Sequence, residues 1–152
     1  MKKYIIGIVL LLAISFTGLM VSEYKQESRQ FEGIADFTTA VNNTRASYDL
    51  EPVINNAELE QIAMRKCKDM ATRHYQSHVD PDGKKIWDYA PQGYKYGENL
   101  AGNYYNSYEV MQAWVKSPSH LENIVDPAFT QVGHAVCTDG KQYLVVQVFK
   151  SN

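Results

Sequence analysis

The chain has 152 residues, 45% of them hydrophobic, with 15 Lys and Arg against 17 Asp and Glu. That length suits one domain with a real core plus an appendage. Charges of both signs are interspersed with no run of five or more, which argues against nucleic acid and anionic lipid headgroups as partners, because both need a concentrated basic face.

Residues 1–21 begin with Lys2 and Lys3 and then run without charge from Tyr4 to Val21. Such a run lies between a secretory signal and a short membrane span. The best cleavage point, Ser15-Phe16-Thr17, is a poor one, and no Cys follows to take a lipid. The segment therefore reads as an uncleaved N-terminal anchor, single-pass in the cell membrane, with a cleaved signal and secretion as the alternative. Lys2 and Lys3 place the N-terminus in the cytoplasm, so either reading makes the folded part extracytoplasmic. All 17 acids but only 13 of the Lys and Arg follow Val21, leaving that part at −4. Residues 22–33 are polar and read as a stalk, with a domain over 34–152.

Within the domain, Ile34, Phe37, Val41 and Tyr48 fall near helical spacing, and that helix ends before Pro52. Asn55 with Glu58 three residues on reads as a capping box for a second helix, striped by Leu59, Ile62, Ala63, Lys66/Cys67 and Met70 and running to about Tyr75. Residues 76–106 are rich in Gly, Pro, Asp, Asn and Tyr and read as a long irregular stretch with one short helix near Ile86–Ala90. Ordered loops of that length are usually functional. A third helix starts at Ser107 as its cap, carries Val110, Met111 and Trp114, and stops at Pro118. A further turn covers His120 to Ile124. Thr130–Thr138 and Gln142–Phe149 form a hairpin about a two-residue Asp139-Gly140 turn. Helices followed by an antiparallel hairpin indicate a layered α/β or α+β sandwich.

Cys67 and Cys137 lie in a compartment where thiols oxidise. They read either as a buried disulfide or as two small buried hydrophobes. Trp87 and Trp114 read as core. The tyrosines clustered from Tyr89 to Tyr108 read as half-buried packing of the long loop, with a groove for glycan, peptide or lipid as the alternative.

Three stretches carry the chemistry: Ser77-His78-Val79-Asp80-Pro81-Asp82-Gly83, Gly97-Glu98-Asn99-Leu100-Ala101, and Ser117-Pro118-Ser119-His120-Leu121-Glu122-Asn123-Ile124. Each puts His78, Glu98 or His120 in or beside a turn. Two imidazoles and a carboxylate in one cleft suit a divalent cation such as zinc, a proton transfer or a polar ligand, and spacing does not choose among them. The dull readings are that each imidazole caps a loop or helix end and that Glu98 bonds free backbone amides. His74 lies four residues before His78, but no Glu follows it as a zinc-protease motif demands. His134 falls mid-strand and reads as structural. Ser77, Ser117 and Ser119 neighbour the histidines without a nucleophile elbow or an evident oxyanion hole, so serine hydrolysis is disfavoured.

Asn42-Asn43-Thr44-Arg45, Ser77-His78 with Pro81-Asp82-Gly83, Gly97-Glu98-Asn99-Leu100, Ala113-Trp114, Ser117-Pro118-Ser119-His120 with Asn123-Ile124, Val132-Gly133 and Val146-Gln147 run in order over most of the domain. In this order they resemble the CAP superfamily, the SCP-like domain of cysteine-rich secretory, antigen 5 and pathogenesis-related proteins, and within it the short bacterial branch. The resemblance implies an α+β fold, a three-layer α-β-α sandwich with a central antiparallel sheet and a cleft lined by histidines and acids. His78, Glu98 and His120 match three members of the family's cleft tetrad. The fourth, a Glu in plant and animal members, falls on Ser117, which weakens a carry-over of zinc binding. The expected cleft is His78, Glu98, Asn99, Ser117 and His120. The expected function is ligand binding (a divalent metal, lipid, peptide or glycan) without catalysis. The alternative is a metal-dependent hydrolase of peptide or cell-wall substrates, with His78 and His120 as metal ligands and Glu98 as base or third ligand.

Overall fold

The computed structural model describes residues 30–152. The anchor at 1–21 and most of the stalk at 22–33 lie outside the described residues. Among the described residues no helix is long and apolar enough to cross a membrane. The compact unit starts at Phe31, three residues before the expected boundary. The Phe31 ring packs on Phe37 and Tyr143, and Glu32 exchanges backbone bonds with Tyr105 and Ser107.

The helices are α1 (Phe37–Ala46), α2 (Ala57–Arg73), α3 (Ser107–Lys116) and α4 (Pro118–Ile124), and the strands are β1 (Ile54–Asn55), β2 (Tyr96–Gly102), β3 (Phe129–Thr138) and β4 (Tyr143–Ser151). They form one four-stranded sheet in the order β1-β3-β4-β2. The β2/β4 and β3/β4 pairs are antiparallel, as expected, but the short β1 runs parallel to β3, so the sheet is mixed.

Alternation along β4 shows why the fold has three layers. Leu144, Val146 and Val148 join Leu59, Ala63 and Met70 of α2, while Val145 and Phe149 join Phe37, Val41 and Trp114 of α1 and α3. A strand buried on both faces reads as a continuous apolar run, and Leu144 to Phe149 are all buried. On β3, a Cβ at Gly133 would lie 2.4 Å from the backbone of Leu59 and Glu60. Only glycine lets α2 settle directly on the strand there. A disulfide between Cys67 and Cys137, Cα atoms 5.9 Å apart, ties the same two elements together.

Several local expectations shift. The cap of α2 is Asn56, whose side chain accepts from Glu58 and Leu59 amides, while Asn55 bonds the Glu60 carboxylate instead. Asn106, not Ser107, caps α3 through the Glu109 amide. Pro118 ends α3 and opens α4 in its first turn, where a missing N–H costs nothing. The hairpin closes through four residues, 139–142, because Thr138 already pairs with Tyr143 and Asp139 Oδ1 takes the Lys141 and Gln142 amides. Trp87 is not core: it is 38% exposed, with the Lys85 ammonium over its ring. The largest correction falls inside the stretch read as irregular, where Tyr96–Gly102 is a full strand.

Candidate functional site

The strand missed in the sequence carries the central residues. Along β2, Glu98 pairs with Val148 and faces the α2 layer, while Asn99 pairs with Gln147 and faces the α1/α3/α4 layer. β2 is an edge of the sheet, and its outer carbonyls are blunted from the side. Asn123 Nδ2 donates to Glu98 O and Trp114 Nε1 to Leu100 O, one way native folds keep an edge from pairing with another chain.

His78 sits in the loop after α2. Asp80 anchors that loop, its Oδ1 taking the amides of Asp82 and Lys84. His78 Nδ1 lies 2.6 Å from Glu98 Oε1. The carboxylate accepts, so Nδ1 carries a proton and donates it to Glu98, with Nε2 on the far side of the ring. The two side chains differ in exposure, 56% for His78 and 2% for Glu98. Glu98 Oε2 is buried and has no hydrogen-bond partner among the described residues. A buried carboxylate oxygen left unsatisfied is costly, so it marks a place where a donor or cation would be welcome.

His120 stands in the first turn of α4, its ring stacked against Trp114 and its Nδ1 2.7 Å from Ser117 Oγ. Burial lowers its pKa, and the nearby His78 lowers it further, so the ring is neutral around neutrality. α4 is held from beneath by Arg45. Its buried guanidinium donates to the carbonyls of Glu51, Ile124, Asp126 and Phe129, and Asn42 makes a two-way amide bond with Val53. These contacts explain the Asn-x-x-Arg pattern on α1.

Asn99 turns to the opposite face of the sheet from Glu98 and the His78 bonded to it. Its Nδ2 donates to His120 O and to Gln147 Oε1, and its Oδ1 accepts from Asn123 Nδ2. Gln147 Nε2 continues to His134 Nε2 at 2.9 Å, so a polar row crosses β2, β4 and β3. Backbone carbonyls only accept, and His120 O and Glu98 O therefore fix the donor sense of Asn99 and Asn123. That in turn fixes Gln147 as donor and His134 Nε2 as acceptor. Burial lowers the His134 pKa to about 3, in keeping with a neutral ring.

Thus Glu98 of β2 holds His78, and the same strand is joined to α4 through His120 O and Asn123. Ser117 bonds His120, and Asn99 fastens β2 to α4 through His120 O and Asn123. Asn123 and Gln147 were visible only as parts of motifs, and their side-chain roles had no periodic signature. Among the described residues no group of three or more His, Cys, Asp or Glu is arranged to hold a metal ion. Among the described residues Nδ1 is the ring nitrogen of each imidazole that has a partner, and Glu98 stands behind His78 in the way a carboxylate backs a metal-binding histidine. Two imidazoles fall short of the three protein ligands that catalytic zinc uses.

The chain is similar to proteins of matching architecture. The uncharacterized protein YkwD of Bacillus subtilis is 32% identical over 96 residues, 60% of this chain and 37% of that relative, so the chain spans little over a third of its length. An outer surface protein of Borrelia burgdorferi superposes with a TM-score of 0.68 at 21% identity, covering 76% of this chain and 89% of the other. An extracellular protein containing an SCP domain from Bacillus anthracis gives 0.67 at 24% identity, covering 78% and 40%. These two likenesses concern the fold. The sequence pattern of CAP, the cysteine-rich secretory protein family, matches residues 38–149, and the chain belongs to that family.

Proposed function

We propose that this is an extracytoplasmic CAP domain that binds a ligand through a polar group lodged between His78, Glu98 and His120, and that it does not catalyse a reaction. The observation that carries the reading is Glu98: a side chain 2% exposed, one oxygen on His78 and the other without a partner among the described residues. A ligand donor reaching Oε2 would satisfy it while the Nε2 atoms of His78 and His120 accept or donate alongside. Ser117, at the place where the resemblance puts a Glu in plant and animal members, leaves His120 oriented but without an acid behind it, which removes the second half of a two-acid mechanism. The Cys67–Cys137 disulfide supports an oxidising compartment, and so does the extracellular or surface description of the solved relatives.

The second reading, a zinc-dependent hydrolase, draws on the His78–Glu98 pairing, which would hold the imidazole for a metal. Zinc titration by calorimetry, with native mass spectrometry of protein purified from its host, separates the two. The first reading expects a co-purified organic ligand that His78→Ala and His120→Ala each release, and zinc binding weaker than micromolar. Zinc held at micromolar strength or better and lost in both variants would establish the hydrolase reading instead. Ligand retention in both variants would remove the cleft from either.

A further inference from the structure

A separate cavity of about 340 Å3 lies along α2, closed by the loop that follows it. Its apolar lining comes from Ile62 and Ile86, and Arg65, Lys66, Lys68 and Arg73 bring positive charge to it. The two acids that line it are already engaged. Asp80 takes two backbone amides and the Tyr89 hydroxyl. Asp69 takes the Tyr75 hydroxyl at 2.5 Å and faces Arg73 at 3.5 Å, and Arg73 is itself bonded to Asp82 at 2.7 Å.

Lys66 is the anomaly. It is 5% exposed, yet among the described residues its Nζ reaches only neutral partners: Tyr75 Oη and His78 O, both at 3.3 Å, and the face of the Tyr75 ring. Among the described residues it forms no salt bridge within 4.0 Å. Burial pushes its pKa down, and the more distant charges of Glu98, Asp80 and Asp69 push it back. An ammonium has three donors, so one remains for a further partner. Arg65, held over the Tyr89 ring at 4.3 Å, is likewise bonded to no carboxylate among the described residues. A buried cation is costly without a counter-charge in contact, and among the described residues no carboxylate lies within 4.0 Å of the Lys66 ammonium, while the cavity beside it has room.

We infer that this cavity is a binding site for a small organic anion, a carboxylate or sulfonate on an apolar body, with the charged group on Lys66 and Arg65 and the body on Ile62 and Ile86. The site is distinct from the cleft, although the same lysine bonds the His78 carbonyl.

Saturation-transfer NMR on the full chain tests this, with sodium benzoate as probe and benzyl alcohol as its uncharged counterpart. Saturable transfer to benzoate is expected, and none to the alcohol. Lys66→Gln should weaken benzoate binding at least about tenfold, the loss of one charge-assisted bond. His78→Ala should leave it unchanged. Should Lys66→Gln fail to melt cooperatively, Thr72→Trp, at an exposed position lining the cavity, blocks the space without touching the core and should abolish transfer. Equal binding of the alcohol, benzoate binding that survives both cavity variants, loss in His78→Ala alone, or no saturable transfer to the wild-type chain would each overturn the inference.

Discussion

His134 shows how one side chain can report on the polar row beneath the cleft. Its Nε2 must accept from Gln147, so a proton arriving there would set donor against donor. The ring also stacks on Phe37, centroids 5.1 Å apart. A histidine whose folded pKa lies at about 3, against an ordinary 6.5, binds fewer protons folded than unfolded between those values. Its contribution to stability is therefore intact above about pH 6.5 and is lost progressively as pH falls towards 3. Between pH 7 and 5 this amounts to about 2 kcal/mol, and His120, lowered in the same direction, adds to it. Urea midpoints at both pH values should show the loss. His134→Gln keeps an acceptor for Gln147 and removes the titration, so most of the difference should vanish in that variant. An unchanged slope would show that the row tolerates the charge. The two tryptophans teach the same lesson from packing. Trp114 is core because it stands on the inner stripe of α3 and its indole N–H finds Leu100 O, whereas Trp87 stays at the surface. Composition alone ranks them equally.

At the scale of elements, β2 and α4 decide where the site forms. Tyr96–Gly102 holds two glycines, a Glu and an Asn, types depleted in strands, so its pattern does not read as one. It is a strand because β4 supplies a buried edge and because Asn99, Asn123 and Trp114 satisfy what an ordinary strand would leave polar. α4 is only seven residues long, too short to persist by itself, and Arg45 holds it through the carbonyls at its end. Arg45→Lys keeps the charge but loses the fork. It should cost about 3 kcal/mol in chemical denaturation, since several buried carbonyls lose their donor, and should shift the His120 imidazole resonances. A variant as stable as the parent, with His120 unmoved, would mean that α4 is fixed by packing alone.

For the molecule as a whole, the disulfide joins residues 70 apart in sequence. A cross-link of that span stabilises a fold by about 4 kcal/mol in the loop-entropy account. Replacing both Cys67 and Cys137 by Ala should lower stability by roughly that amount without changing the layer order, as thermal melts and far-ultraviolet dichroism would show. A cost near zero would mean that Gly133 and the α2 stripe already fix the α2–β3 seat. For residues 1–21, the intact mass of protein recovered from cells should retain them. That outcome is what the uncleaved-anchor reading expects, and a mature chain beginning near Gly18 would favour a cleaved signal instead.

Within the sequence itself lay the helical stripes of α1, α2 and α3, the terminal hairpin, and the candidates His78, Glu98 and His120, because periodicity, turn chemistry and motif order are local properties. Left to the tertiary structure were the strand character of β2, the parallel β1, the exposure of Trp87 and the single-file bonding from His120 to His134. Each depends on which neighbours remove water from a residue or complete its hydrogen bonds, and those neighbours lie tens of residues away along the chain.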